Sequence, residues 1–183
     1  MTNIDTVKQS YNKFTEFPTI SYNVIKYLMN NNEMIWKLLN YNVANAYQES
    51  NLTLSQKAGL IFDGLGKETD FRVFQYLGQD DSWTIESCSI RVCPIELVPA
   101  NYVYGNISLG FEIYCHGKIN TLSNYTTRLD TITQQLIETL NGQEVGGIGR
   151  LYFDSRASSR CRAQTMGSIP YRGTGLIFCN WTQ

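Results

Sequence analysis

Apolar residues recur at helical spacing through residues 20–41 (ISYNVIKYLMNNNEMIWKLLNY), in two pieces. Ile25, Leu28 and Met29 make one stripe; Met34, Ile35, Leu38 and Leu39 make the next, three and four apart as one buried helix face requires. The run Asn30-Asn31-Asn32 between them has low helix propensity and predicts a turn. A short helix is expected from Leu52 to Phe62, with Thr53 or Ser55 as N-cap and Gly64 and Gly66 beyond its end. From Asp70 the period changes to two. Phe71 to Tyr76 predicts a first strand, Gln79 to Ser82 a turn, and Trp83 to Val98 a second strand whose pairing Pro94 and Pro99 should restrict.

The third strand, Val103 to His116, alternates most cleanly. Ile107, Leu109, Phe111, Ile113 and Cys115 share one face; Ser108, Gly110, Glu112, Tyr114 and His116 share the other, which predicts a sheet with a buried and a wetter side. Residues 124–141 return to helical spacing, with Leu129, Ile132, Leu136, Ile137 and Leu140 inward and Arg128, Gln134, Gln135 and Glu138 mostly off the stripe. Asn124 is the expected N-cap and Gly142 the expected C′ residue. Gly149–Asp154 and Gly175–Trp181 predict two closing strands, separated by residues 155–172, a connection too long to be ordinary. The pattern predicts an N-terminal arm (1–19) and a single α+β domain (20–183). Its helices pack on one face of a mainly antiparallel sheet, in the order α-α-β-β-β-α-β-β.

Composition narrows the function. Apolar residues make up 43% of the 183, enough for a core and too many for general disorder. The net charge of −1 argues against a globally basic nucleic-acid binder. No apolar run approaches the ~18–20 residues that span a bilayer, and MTNIDTVKQS carries no secretory apolar region, so no membrane partner is expected. The five cysteines, Cys88, Cys93, Cys115, Cys161 and Cys179, form no CxxC pair and read as reduced thiols. The Asn-X-Ser/Thr triplets at Asn51, Asn106, Asn124 and Asn180 then read as chance.

Candidate chemistry is sparse. The single histidine, His116, follows Cys115 on a strand, so the two point to opposite faces and make neither a metal site nor a nucleophile–base pair with each other. GQEVGGIG (142–149) follows a helix instead of opening one, so it reads as a helix-to-strand turn, not a phosphate cradle. Glu86, Glu96 and Glu112 read as exposed strand carboxylates. No catalytic residue, metal ligand or cofactor is assigned.

Charge distribution is more telling. Residues 1–145 carry ten basic and fifteen acidic groups; residues 146–183 carry five basic groups and one acid. The five are Arg150, Arg156, Arg160, Arg162 and Arg172. Arginine favours planar pairing to carboxylate or phosphate. Three readings stay open: a solvated loop, a segment docking on the acidic body of a neighbouring copy, and a phosphate-contacting loop on DNA. Trp36, Trp83, Tyr102, Tyr104 and Trp181 are candidate ring contacts, or else core. The Pro94–Tyr104 hairpin, stiffened by Pro94 and Pro99, is a candidate reach toward a neighbour or an ordinary turn.

Several segments together resemble the head-to-tail connector proteins of tailed bacteriophages. Ile35-Trp36-Lys37-Leu38-Leu39-Asn40-Tyr41-Asn42 resembles their WKLLxYN segment, and Leu52-Thr53-Leu54 follows it as in those proteins. Phe111–His116 resembles their FxIxCH strand, Asn124–Gly142 their helix ending in LNG, and Gly147–Leu151 their GxGxL strand entry. An Asn-rich, cysteine-tolerant member is similar to those of crAss-like phages. The resemblance implies a non-enzymatic virion part, made in the bacterial cytoplasm and built into the neck. It implies a ring of about twelve copies, or about six in a tail terminator, closed by head-to-tail contacts. Implied partners are itself, the portal or adjacent neck and tail proteins, and double-stranded DNA passing without sequence specificity. Two other classes remain open: a Cys-dependent enzyme on Cys115 or Cys161, and a monomeric nucleic-acid-binding module using the arginines. In a ring of about twelve, five lumen arginines per copy would put about sixty guanidiniums around DNA bearing one charge per ~1.7 Å. Such a lining would hold the DNA it must pass, so most of the arginines are expected to pair with carboxylates.

Overall fold

A computed structural model describes residues 17–77, 85–99, 105–156, 162–166 and 169–180. The two helical pieces are α1 (Ile20–Asn31) and α2 (Met34–Asn40), broken at the end of the Asn run as its low propensity predicts. The break has a definite chemistry. Asn32 is buried; its Oδ1 accepts from the Ile35 N–H at 2.8 Å, and its Nδ2 donates to Gln135 Oε1 (3.0 Å) and Thr139 Oγ1 (2.7 Å). One side chain thus caps α2 and ties the break to the later helix. The next helix, α3 (Leu54–Ala58), opens on a capping box. Gln56 N–H donates to Thr53 Oγ1 at 3.2 Å, and Thr53 N–H donates to Gln56 Oε1 at 2.8 Å. It ends at Ala58, earlier than expected.

The main sheet has six strands in the order β1-β2-β3-β8-β6, with β7 also pairing β8. These are β1 (Val73–Phe74), β2 (Cys88–Pro99), β3 (Gly105–His116), β6 (Tyr152–Phe153), β7 (Arg162–Met166) and β8 (Ile169–Cys179). Every pairing is antiparallel except β1 with β2. A separate two-stranded piece, β4 (Glu144–Val145) and β5 (Gly149–Arg150), forms the glycine-rich turn. Helices α1 and α2 pack on β2, and α4 (Arg128–Leu140) packs on β3 and β8. The chain is therefore an α+β domain with helices on one face of a mainly antiparallel sheet.

The core lies between these layers. Val24, Ile25 and Leu28 of α1, Leu38 and Leu39 of α2, and Leu129, Ile132, Leu136 and Leu140 of α4 meet Ile90, Val92, Leu109, Phe111, Ile113 and Phe178. The Phe111 and Phe178 rings meet edge to face, centroids 5.3 Å apart. Helical spacing of three and four lines up one row, strand spacing of two lines up the other, and burial of both drives the packing.

Several expectations need correction. The predicted strand over Phe71–Tyr76 shrinks to two residues, and GRLYFD divides between β5 and β6. The N-cap of α4 is Thr127, not Asn124; Thr127 Oγ1 accepts from the Asp130 N–H at 3.1 Å. Asn124 instead closes the preceding turn, where its Oδ1 accepts from Thr126 Oγ1 at 2.7 Å. Much of the predicted loop 155–172 is the β7–β8 hairpin, in register from Arg162 opposite Gly173 to Met166 opposite Ile169. Of the predicted arm, residues 17–19 form one 3-10 turn, and the rest lies outside the described residues, as does the expected turn Gln79–Ser82.

Pro94 and Pro99 do not end the β2 ladder, which continues to Pro99 opposite Gly105 across an irregularity between Pro94 and Glu96. Ile90 donates its N–H outward to Arg72 O, so residues 90, 92 and 94 face away from β3. Beyond the irregularity, Ile107 sends its N–H to Asn180 Oδ1, which turns Leu97 and Pro99 outward as well. Both prolines thus occupy positions with no β3 ladder donor to lose.

Candidate assembly interface

Beyond the irregularity β2 is an edge strand: Glu96 and Leu97 pair with β3 residues still flanked by Cys179 and Asn180, and Val98 and Pro99 with Gly105 and Asn106 run on as a short two-stranded ribbon. Ile95, Leu97 and Val98 are 44%, 37% and 45% exposed there, although earlier in the same strand Cys88, Ile90 and Val92 are buried. Ile95 folds back over Gly110, where an added Cβ would lie 2.7 Å from its Cγ2. Leu97 and Val98 stand opposite Ile107 and Asn106. Ser108 Oγ donates to Glu96 Oε2 at 3.3 Å and fixes the ribbon's base. An apolar, proline-edged ribbon of this kind offers surface to a neighbour while discouraging indiscriminate strand pairing.

The arginine-rich end is distributed over several elements. Arg150 (β5) and Arg172 (β8) are exposed. Arg156 is exposed beyond β6; its backbone N–H donates to Asp154 Oδ1 at 3.0 Å, and its Nε lies 3.9 Å from the same oxygen. Arg162 opens β7 opposite Gly173, next to Arg172 in the ladder. Arg160 lies outside the described residues, as do Cys161, Trp83, Tyr102, Tyr104 and Trp181. Pro94 is half-buried and Pro99 exposed on the ribbon. Trp36, a candidate ring contact, is in the core at 1% exposure and donates its Nε1–H to Leu28 O at 3.2 Å. It occupies the inward stripe of α2 beside Ile35, Leu38 and Leu39.

Charge is also buried where the sequence pattern placed it outside. Arg128, expected off the α4 stripe, is fully buried. Its guanidinium donates to Ile119 O (3.0 Å), Tyr41 O (2.7 Å), Val43 O (2.9 Å) and Leu38 O. Burial lowers its pKa from the ordinary arginine value. One cation thus collects carbonyls at the end of α2 and in the connection after it. On the sheet face away from the helices, Arg91 is fully buried between the Phe74 and Tyr114 rings, 5.0 and 5.2 Å from their centroids. Glu112 lies directly across the ladder from Arg91. This face was expected to be wet, yet Ser89, Ser108 and His116 on it are buried too. His116 is structural: its Nδ1 accepts from the Lys118 N–H at 3.2 Å, and its ring meets Tyr171 edge to face.

Of the three strand glutamates, Glu86 pairs with Lys118, Glu96 holds Ser108 and Glu112 faces Arg91, so they form no shared site. The Lys118 hydrogen bond lowers the Glu86 pKa. Among the described residues, no group of three or more His, Cys, Asp or Glu is placed to hold a metal ion. No helix described is long and apolar enough to cross a membrane.

Fold and sequence together define an α+β protein with helices packed on a mainly antiparallel sheet. More particularly, residues 32–167 match the YomW family model, and the chain belongs to the YomW family. The match begins at the Asn32 break and takes in the ribbon, α4 and all of β7. No curated protein matches the chain.

Proposed function

We propose that this YomW-family protein is a structural virion part. It forms an oligomeric ring in the phage neck between portal and tail, where it surrounds the DNA passage and docks the next component. The observation that carries this reading is the β2 edge and the short ribbon that continues it, where Ile95, Leu97 and Val98 stand exposed between Pro94 and Pro99. Charge segregation supports it: a body rich in carboxylates and an end whose basic groups are all arginines complement each other in a head-to-tail arrangement. Phage derivation of the family sets the context.

In this reading the apolar ribbon supplies the association energy, and the arginines set register by pairing with carboxylates of the adjacent copy. The protein works without turnover and without a cofactor. The test is the mass of the purified chain, alone and after mixing with portal complexes. A closed ring of about twelve copies supports the neck-ring assignment. A closed ring of about six supports a tail terminator in the same class. Tight binding of DNA by the lone subunit, falling steeply with salt, would instead support a nucleic-acid-binding module and overturn the ring.

A further inference from the structure

Cys88 and Cys115 face each other directly across the β2–β3 ladder, and both are fully buried. Their position in the ladder is specific. His116 donates its N–H to Ser87 O, one step along, and Ile90 sends its N–H away from β3 to Arg72 O. The Cys88–Cys115 pair therefore falls at a site where the two residues exchange no main-chain hydrogen bond. Such sites bring Cα atoms to about 4.5 Å and side chains closest together. That separation lies within the ~4.4–6.8 Å over which disulfides form. The Cys115 thiol donates to a main-chain acceptor, His116 O, at 3.6 Å. From this geometry we infer that Cys88 and Cys115 are a latent disulfide, closed by a mild oxidant without rearrangement of the strands. The inference does not rest on the ring assignment.

The chemistry balances with a peroxide or a small-molecule disulfide as oxidant. With peroxide, one thiolate attacks an oxygen, the O–O bond breaks, and a sulfenic acid forms with loss of hydroxide. The second thiolate then attacks that sulfur, the S–S bond forms, and a second hydroxide leaves. Two thiols lose two electrons, and two thiol protons end in two waters. With a disulfide oxidant, two exchange steps pass the same electrons to it and release two small thiols.

The surroundings set the rate. The adjacent Cys88 thiol and burial both raise the Cys115 pKa, opposed by the nearby Arg128 guanidinium. The resting pair is therefore slow to oxidise; oxidant enters by brief fraying at the β2 start, where Cys88 is the first residue, and the link closes in the native register. Once thiolate forms, Arg128 is the cation beside it. Half-buried Cys93, on the opposite sheet face, is the internal reference for an accessible thiol.

The test uses the full chain as Cys93→Ser, treated under native conditions with hydrogen peroxide or diamide, alkylated, and digested with trypsin without reduction. Cleavage after Arg91 separates residues 73–91, carrying Cys88, from residues 92–118, carrying Cys115. The expected product is these two peptides joined, two hydrogens lighter than their sum and separated again by dithiothreitol. Oxidised protein should unfold at a higher temperature than reduced protein, and Cys88→Ala should lose both the link and the shift. Oxidation of Cys93 in the unsubstituted chain, measured in parallel, confirms the oxidant's potency. If Cys93 oxidises while Cys88 and Cys115 are recovered as free thiols, or if either links to another cysteine, the inference is overturned.

Discussion

Arg128 shows how one charged side chain organises this molecule. A buried guanidinium bound to four carbonyls satisfies acceptors from α2, the chain after it and the Gly117–Ile119 turn, and no apolar replacement does so. Arg128→Met is expected to cost ~3–5 kcal/mol, because the carbonyls stay buried without donors. Urea unfolding measures it, and a loss under about 1 kcal/mol would contradict the account. Gly173 is equally exacting. A Cβ there would sit 2.8 Å from the Tyr114 ring, which stacks on Arg91. Gly173→Ala should displace that ring and destabilise by ~1–3 kcal/mol. At the surface, Glu86 should titrate below an ordinary glutamate in an NMR titration and return to normal in Lys118→Met. Because the folded value is lowered, any stability from this exposed pair exists above the unfolded pKa and fades as pH falls through the folded one.

At the scale of elements, the α1–α2 break and the ribbon carry the argument. Asn32→Ala removes the α2 cap and both bonds to α4, and should destabilise by ~1–3 kcal/mol. Asn32→Asp should restore only the capping part, since its carboxylate accepts from Ile35 N–H but donates nothing to Gln135 or Thr139. The break itself was legible in the Asn run; its link to α4 was not, because a contact spanning more than a hundred residues leaves no local pattern. The strict alternation of β3 was legible because one face is uniformly apolar. Charge misled: Arg91 on the sheet's other face and Arg128 on α4 look solvent-facing, yet ring stacking and carbonyl bonds hold them inside. Hairpin β7–β8 was hidden for a related reason, since RAQTM lacks apolar alternation while its backbone still pairs. The two prolines read in sequence as limits on pairing; the observed register shows them facing outward, where the ladder runs through them.

At the scale of the whole molecule, dry helix–sheet packing supplies stability and leaves the ribbon and the arginine-rich end available for contact. Leu97→Asp should leave the fold intact, because Leu97 stands beyond the core, and should stop association by placing a carboxylate in the apolar contact. A normal circular dichroism spectrum with lost assembly is the expected pair of results. The order of the resembling segments along the chain pointed to a phage protein, but Trp36 within them serves the core. The most direct test is the native mass of the chain, with and without portal complexes, against the 20.9 kDa subunit. The account predicts a closed ring of one defined copy number, abolished by Leu97→Asp. A mass that stays at one subunit in every mixture would contradict it.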